Sequence, residues 1–346
     1  MNLSDLPTLP DPGDAFNAAV MQSVRAHQKR QRHQLQSAAV ALILLAAGGW
    51  WHLRTAEPAA PLLAQAEPED ARAAAVTWLT REQEADGSWS AARWGGHERF
   101  TPGVSALATL ALLQDAPESH LDRAGAWLLE HLSHQTPALM EGPLFYNHLL
   151  SLRALVALEA QSPAPERAAR LRAALHQLAR LQQPEGGWGY RADSAMGYHA
   201  LRGQRANSAI TWWIRELMDQ GAFLMPEEAG RVLARADAWL TQCFAADGTA
   251  RYHPGGAAAA PDQALYWMAR LWRGESAALP TAPTPDFYRD IWMRLSQGEV
   301  PPHVLPLQMA DGAWPRDADR WGLAGGRVYA TAAALLATVP GPPAAR

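Results

Sequence analysis

Q-E-A-D-G-S-W, from Gln83 to Trp89, and Q-M-A-D-G-A-W, from Gln308 to Trp314, are two copies of one heptapeptide, Gln-x-x-Asp-Gly-x-Trp. A third copy, Q-Q-P-E-G-G-W from Gln182 to Trp188, keeps the Gln, Gly and Trp and has Glu185 in place of the Asp. A fourth, Q-C-F-A-A-D-G from Gln242 to Gly248, is two residues longer before its Gly and lacks the Trp. A unit that recurs in this way is one supersecondary element that cannot bury its apolar face alone, so successive units stack. Each copy follows an apolar-periodic helix, such as the one with Ala73, Ala74, Val76, Trp78 and Leu79, and precedes another. A helix exit leaves carbonyls without partners, and there a Gly can turn left-handed and a Gln amide can donate to the freed groups. A Trp two residues later folds back over the turn and buries roughly 150 to 250 Å². Gln83, Gly87, Trp89, Gln182, Gly186, Trp188, Gln242, Gly248, Gln308, Gly312 and Trp314 are therefore read as structural clasps.

Outward from the clasps the pattern is helix, turn, helix, with no alternating stretch of β character from residue 69 to about residue 338. Six segments are apolar on more than one face and read as buried helices: 101–114, 145–160, 207–221, 261–273, 286–297 and 326–338. Between them run amphipathic helices at 69–83, 119–135, 164–183, 226–243 and 300–309. Buried helices alternating with half-buried ones imply two concentric layers, and five or six pairs can close into a ring that has no exposed ends to cap. The stretch 276–285 is too short and Pro-rich for a full outer helix, which leaves the ring thin there.

The N-terminal region is of another kind. Residues 33–53 contain no Asp, Glu, Lys or Arg, and 38–47 is continuously apolar, enough for a helix to cross ~30 Å of hydrocarbon. Arg25, Lys29, Arg30 and Arg32 precede it, whereas Glu57, Glu67, Glu69 and Asp70 follow, and Trp50 and Trp51 suit an aromatic belt. The expected layout is a basic cytoplasmic tail (1–36), a single transmembrane helix (37–53), a linker (54–68), the helical domain (69–340) and a short tail (341–346). That layout puts the domain outside a bacterial inner membrane. A helix in the tail, with Phe16, Val20, Met21 and Val24 on one face, would rest on anionic lipid or dock a cytoplasmic protein. A net charge of -4 with scattered arginines excludes a nucleic-acid partner.

The clasps resemble the QW motifs of the prenyltransferase and squalene-oxidase repeat, the family of squalene-hopene cyclases and of the β subunits of protein prenyltransferases. Tyr146 to His148, the segment NSAITWW from Asn207 to Trp213, and the ending GGRVYATAAALLAT from Gly325 to Thr338 extend the resemblance, which covers most of the chain after residue 69 and is closer to a bacterial, membrane-anchored branch of that superfamily. It implies an all-α fold, an α/α toroid with six inner and up to six outer helices.

The chemistry that the resemblance implies does not transfer. Its terpene cyclases use a D-x-D-D acid, and this chain has only D-A-D-R from Asp317, leaving Asp262 as the best-placed solitary carboxylate, with a helix-capping role to set against it. Its protein prenyltransferases hold zinc through Asp, Cys and His; Cys243 and His253 lack the surrounding sequence, and Cys243, the single cysteine, reads as a core thiol. The Gly-Cys-Gly-Glu-Gln element of thioester toroids is missing, His97-Glu98 lacks the second His of a zincin, and no G-x-S-x-G, P-loop or dinucleotide fingerprint occurs. No catalytic residue, metal or cofactor is assigned. A central space would be walled by Tyr146, His148, Asn207, Trp212, Asp262, Tyr266, Trp267, Tyr288, Trp292, Arg327 and Tyr329, an aromatic lining with polar handles that suits an apolar isoprenoid-like ligand, a sugar or a peptide. The opposing reading is that these rings only fill the core and that His148 bonds a neighbouring carbonyl. The leading expectation is a membrane-anchored toroid that binds a ligand or partner; the alternatives are a terpenoid cyclase or prenyltransferase-like enzyme, and a transmembrane regulator with a cytoplasmic docking helix.

Overall fold

A computed structural model describes residues 68–133, 143–189, 206–275 and 286–338. The chain divides into units at 1–60 and 61–346, and all described residues belong to the second. The expected tail, membrane span and linker before residue 68, the Pro-rich stretch 276–285 and the C-terminal tail lie outside the described residues. Among those described, no helix is long and apolar enough to cross a membrane.

Ten α-helices and several 3-10 turns make up the described structure, with no strand beyond the isolated bridges Phe244–Ala250 and Arg251–Ala258. The helices are α1 Pro68–Arg81, α2 Thr101–Leu112, α3 Glu118–Ser133, α4 Pro143–Gln161, α5 Pro165–Arg180, α6 Ser208–Gln220, α7 Ala229–Cys243, α8 Ala264–Arg273, α9 Phe287–Gln297 and α10 Gly322–Thr338. Helices α2, α4, α6, α8, α9 and α10 pack each against the next, and α10 returns to α2. Outside this cycle α1 packs on α10 and α2, α3 on α2 and α4, α5 on α4, and α7 on α6. The arrangement is all-helical and in keeping with an α/α toroid. Composition explains the layers: α2 is buried at ten of its twelve positions, whereas α5 buries only Leu171, Leu175, Leu178 and Ala179, one stripe at helical spacing.

The expected outer helix at 300–309 is not there. Pro301, Pro302 and Pro306 remove amide donors within six residues, and only the 3-10 turn Leu305–Leu307 forms. Helix α10 begins earlier than expected and is kinked at Gly326 (φ 70°), where a side chain would run into the carbonyls of Ala91 and Trp94.

Three of the heptapeptides make the same set of hydrogen bonds. The Gln83 amide donates to Gly87 O at 3.0 Å and to His120 O in α3 at 2.9 Å. Gln182 donates to Gly186 O and to Val232 O in α7, and Gln308 to Gly312 O and to Ala71 O in α1. The indole N–H of Trp89, Trp188 and Trp314 reaches back to Leu79 O, Leu178 O and Val304 O at 2.7 to 2.8 Å. Their backbone N–H groups donate to Ser105, Thr211 and Thr331 on inner helices α2, α6 and α10. One clasp thus joins an outer segment, the next outer helix and an inner helix.

The fourth copy is in a different register from the one read in the sequence. Ala245 N donates to Thr249 O and Gly248 N to Ala245 O, as Glu84 N does to Ser88 O and Gly87 N to Glu84 O. Phe244 therefore occupies the glutamine position and Ala250 the tryptophan position, while Gln242 is exposed and bonds Ala238 O on its own helix.

Candidate functional site

The candidate residues separate into an interior aromatic wall and several structural roles. Trp212 and Trp213 are adjacent on α6 and present rings to both sides: Trp212 meets Trp272 of α8 at 5.7 Å, Phe244 at 6.1 Å and Trp292 of α9 at 6.2 Å. Trp213 packs on Trp292 at 5.4 Å, lies parallel to Tyr288 at 6.1 Å, and takes Tyr146 of α4 edge-on at 6.3 Å. Its indole N–H donates to the Tyr288 hydroxyl at 2.5 Å. The indole N–H groups of Trp212 and Trp292 are buried without a partner.

Tyr266 stacks edge-on against the buried Trp267, with the Arg270 guanidinium 5.0 Å over its ring. Asn207 caps α6, its Oδ1 accepting from Ile210 N at 2.9 Å. Asp262 neither lines an interior nor caps a helix: it is exposed in the turn before α8, whose N-cap is Gln263. Arg327 forks both oxygens of Asp311 at 2.9 Å, sits over Trp78 and Trp94, and lines a surface groove of about 360 Å³ with Trp94, Met309 and Arg316. His148 is 2% exposed and bonds no carbonyl, contrary to the reading from sequence; both ring nitrogens are without partners, and burial holds its pKa at about 4. Cys243 is buried, and burial, opposed by Arg251, pushes its thiol to about 12; His253 bonds Ala206 O at 2.7 Å. Among the described residues no three His, Cys, Asp or Glu side chains are grouped to hold a metal.

The sequence reading missed a buried charged cluster where α9 begins. Asp286, Arg289, Asp290 and Asp319 are all at most 3% exposed. Arg289 forks Asp290 Oδ1 at 3.0 and 2.7 Å, and Asp290 Oδ2 meets His303 Nε2 at 2.7 Å. Asp286 Oδ1 caps α9 through Arg289 N, and its Oδ2 faces Arg320 Nε at 2.9 Å. Asp319 accepts from Phe287 N and Trp321 N at 2.5 and 2.6 Å. Burial pushes Asp319 up to about 6 against those two amides, and the charges of Asp286 and Asp290 add to the rise. Asp286 is raised too, by burial first. The Tyr329 hydroxyl, buried and unpartnered, feels both carboxyls and Tyr288, and its pKa is well above the ordinary phenol range through burial first. Tyr288, two residues after Asp286 at the start of α9, belongs to the aromatic wall, so the carboxyl pair and the wall share that end of the helix. Its one sequence signal was P-D-F-Y-R-D, with acids four apart at a helix start.

No family model and no curated protein matches the chain. Among solved structures it is similar to the type II terpene cyclase MstE from Scytonema, at 16% identity and a TM-score of 0.40 over 78% of this chain and 97% of that one. A protein from Actinoplanes matches at 15% identity and a TM-score of 0.40, covering 79% and 98%. A variant of MstE in complex with its substrate geranylgeranyl dihydroxybenzoate matches at 16% and 0.39, covering 78% and 96%.

Proposed function

We propose that the interior formed by α4, α6, α9 and α10 takes an apolar, isoprenoid-class substrate, and that the Asp286–Asp319 pair supplies the proton for a terpenoid-cyclase-like reaction. The carrying observation is a pair of buried carboxyls, both with raised pKa, at the start of α9, where Tyr288 two residues on packs against the Trp213 and Trp292 rings. Two carboxyls at close quarters cannot both ionise easily, so the pair holds a proton toward neutrality. In the proposed step an alkene's π electrons take that proton, leaving a carboxylate, and the indole and phenol faces stabilise the carbocation that forms.

A second reading, retention without turnover, is favoured by the hydrogen bonds themselves. Both Asp319 oxygens accept backbone N–H groups and Asp286 caps α9, which are structural duties. Incubation of the purified full chain with squalene and geranylgeranyl substrates, with extraction and mass spectrometry, tests the two. Cyclised product that disappears in Asp286→Asn supports the enzyme; saturable binding with only starting material recovered supports retention.

A further inference from the structure

On α4 the half-buried side chains Tyr146, Leu150, Arg153 and Ala157 fall at helical spacing on one stripe, and the rest of the helix from 145 to 159 is buried. Helix α4 has α2 and α6 on its flanks and α3 and α5 outside it. The stripe keeps accessible surface on the side of α4 next to Trp213 of α6, which both Tyr146 and Arg153 meet.

Arg153 is the one cation of that stripe. Its guanidinium lies over the Trp213 ring at 5.2 Å. It makes no hydrogen bond and no ion pair with any described residue, and it is deep enough that burial lowers its pKa, with the charges of Glu216 and Tyr288 weighing the other way. Glu216, the carboxylate that acts on it most, is already taken by Arg215 Nη1 at 3.0 Å. The half-buried guanidinium keeps accessible surface beside the indole it covers, so an anion can still reach its N–H groups.

We propose that Arg153 is a binding site for the carboxylate head group of an amphipathic ligand whose apolar body lies along Trp213, Tyr288 and Trp292. A guanidinium matches a carboxylate with two parallel N–H···O bonds, and its other face is already stacked on an indole. The inference rests on the proposed interior ligand site and narrows it to acids.

Saturated C20 probes, phytanic acid and phytanol, differ only at the head group and offer no alkene to protonate. Binding to the purified full chain is followed by quenching of its tryptophan fluorescence. The acid is expected to bind about tenfold more tightly than the alcohol, the worth of one charge-assisted contact. Arg153→Met brings the acid to the level of the alcohol while leaving alcohol binding within about twofold, which also reports an intact interior, and Arg153→Lys keeps part of the preference. Equal affinity of the wild-type chain for acid and alcohol, or an unchanged preference in Arg153→Met, overturns the carboxylate site and leaves the interior reading standing. Failure of both probes to bind overturns the two together.

Discussion

The Gln308 amide donates to the Ala71 carbonyl at 2.7 Å across 237 residues of sequence, so the last clasp is fastened to the first helix. The same amide holds Gly312 O at 2.8 Å. Two buried carbonyls depend on one side chain, and Gln308→Ala leaves both without it. The expected loss is about 2 to 3 kcal/mol in chemical denaturation, whereas Gln242→Ala, at an exposed side chain on its own helix, shifts stability by less than about 0.5 kcal/mol. Equal effects of the two would mean that ring closure does not depend on the clasp.

The clasp glycines make a second comparison. Gly87, Gly186 and Gly312 all have φ between 91° and 108°, and a Cβ on Gly87 or Gly312 would strike the backbone of Arg123 or Ala74 in the adjoining helix. Gly255 also has positive φ, 74°, but open space around it. Gly87→Ala therefore carries a clash beyond the conformational strain, and is expected to cost at least about 2 kcal/mol more than Gly255→Ala in thermal or urea unfolding.

These devices differ in how visible they are in sequence. A clasp is local: Gln, Gly and Trp at fixed offsets specify a helix exit, a left-handed turn and a ring that folds back, and three copies could be read directly. The fourth could not, because its turn bonds fix Phe244 in the glutamine position and the nearby Gln242 drew the alignment two residues off. The inner helices were legible from apolar density. The outer segment at 300–309 looked amphipathic only if its three prolines were discounted. The acids were misplaced for a related reason. Asp262 precedes a helix in sequence, yet that helix starts at Ala264 and leaves it in solvent. Asp286 and Asp319 are 33 positions apart and meet only because α9 and α10 pack together.

Two buried titrating groups give a pH signature in which opposite slopes overlap. Asp319 has its folded pKa raised to about 6, so the native state holds a proton the unfolded chain has released. Its contribution is present below the ordinary carboxylate pKa and is lost as pH rises through about 6. His148 is lowered to about 4, so between about 4 and its ordinary value the unfolded chain binds the extra proton, and stability is lost as pH falls. Each contributes on the order of 3 kcal/mol across that window. Relative to the wild-type chain, Asp319→Asn should make stability rise more steeply with pH from 4 to 6, and His148→Gln should make it fall. Urea unfolding at half-unit pH intervals reads both, and parallel profiles for all three proteins would rule out either titration.

The aromatic wall is the last test, because it separates a packed interior from a loose one. Trp292 is buried and meets Trp212, Trp213 and Tyr288 edge-on at 5.4 to 6.3 Å. If those contacts hold the inner helices together, Trp292→Ala opens a cavity that the rigid ring cannot collapse around, at a cost of about 3 to 5 kcal/mol. The Trp213–Tyr288 hydrogen bond should appear separately, as a coupling of about 1 kcal/mol in a double-mutant cycle of Trp213→Phe and Tyr288→Phe. A cost below about 1 kcal/mol for Trp292→Ala would mean that its ring borders open space instead of packed side chains. An apolar ligand would then be expected to stabilise the wild-type chain far more than this variant, and a melting series with phytanol reads that difference.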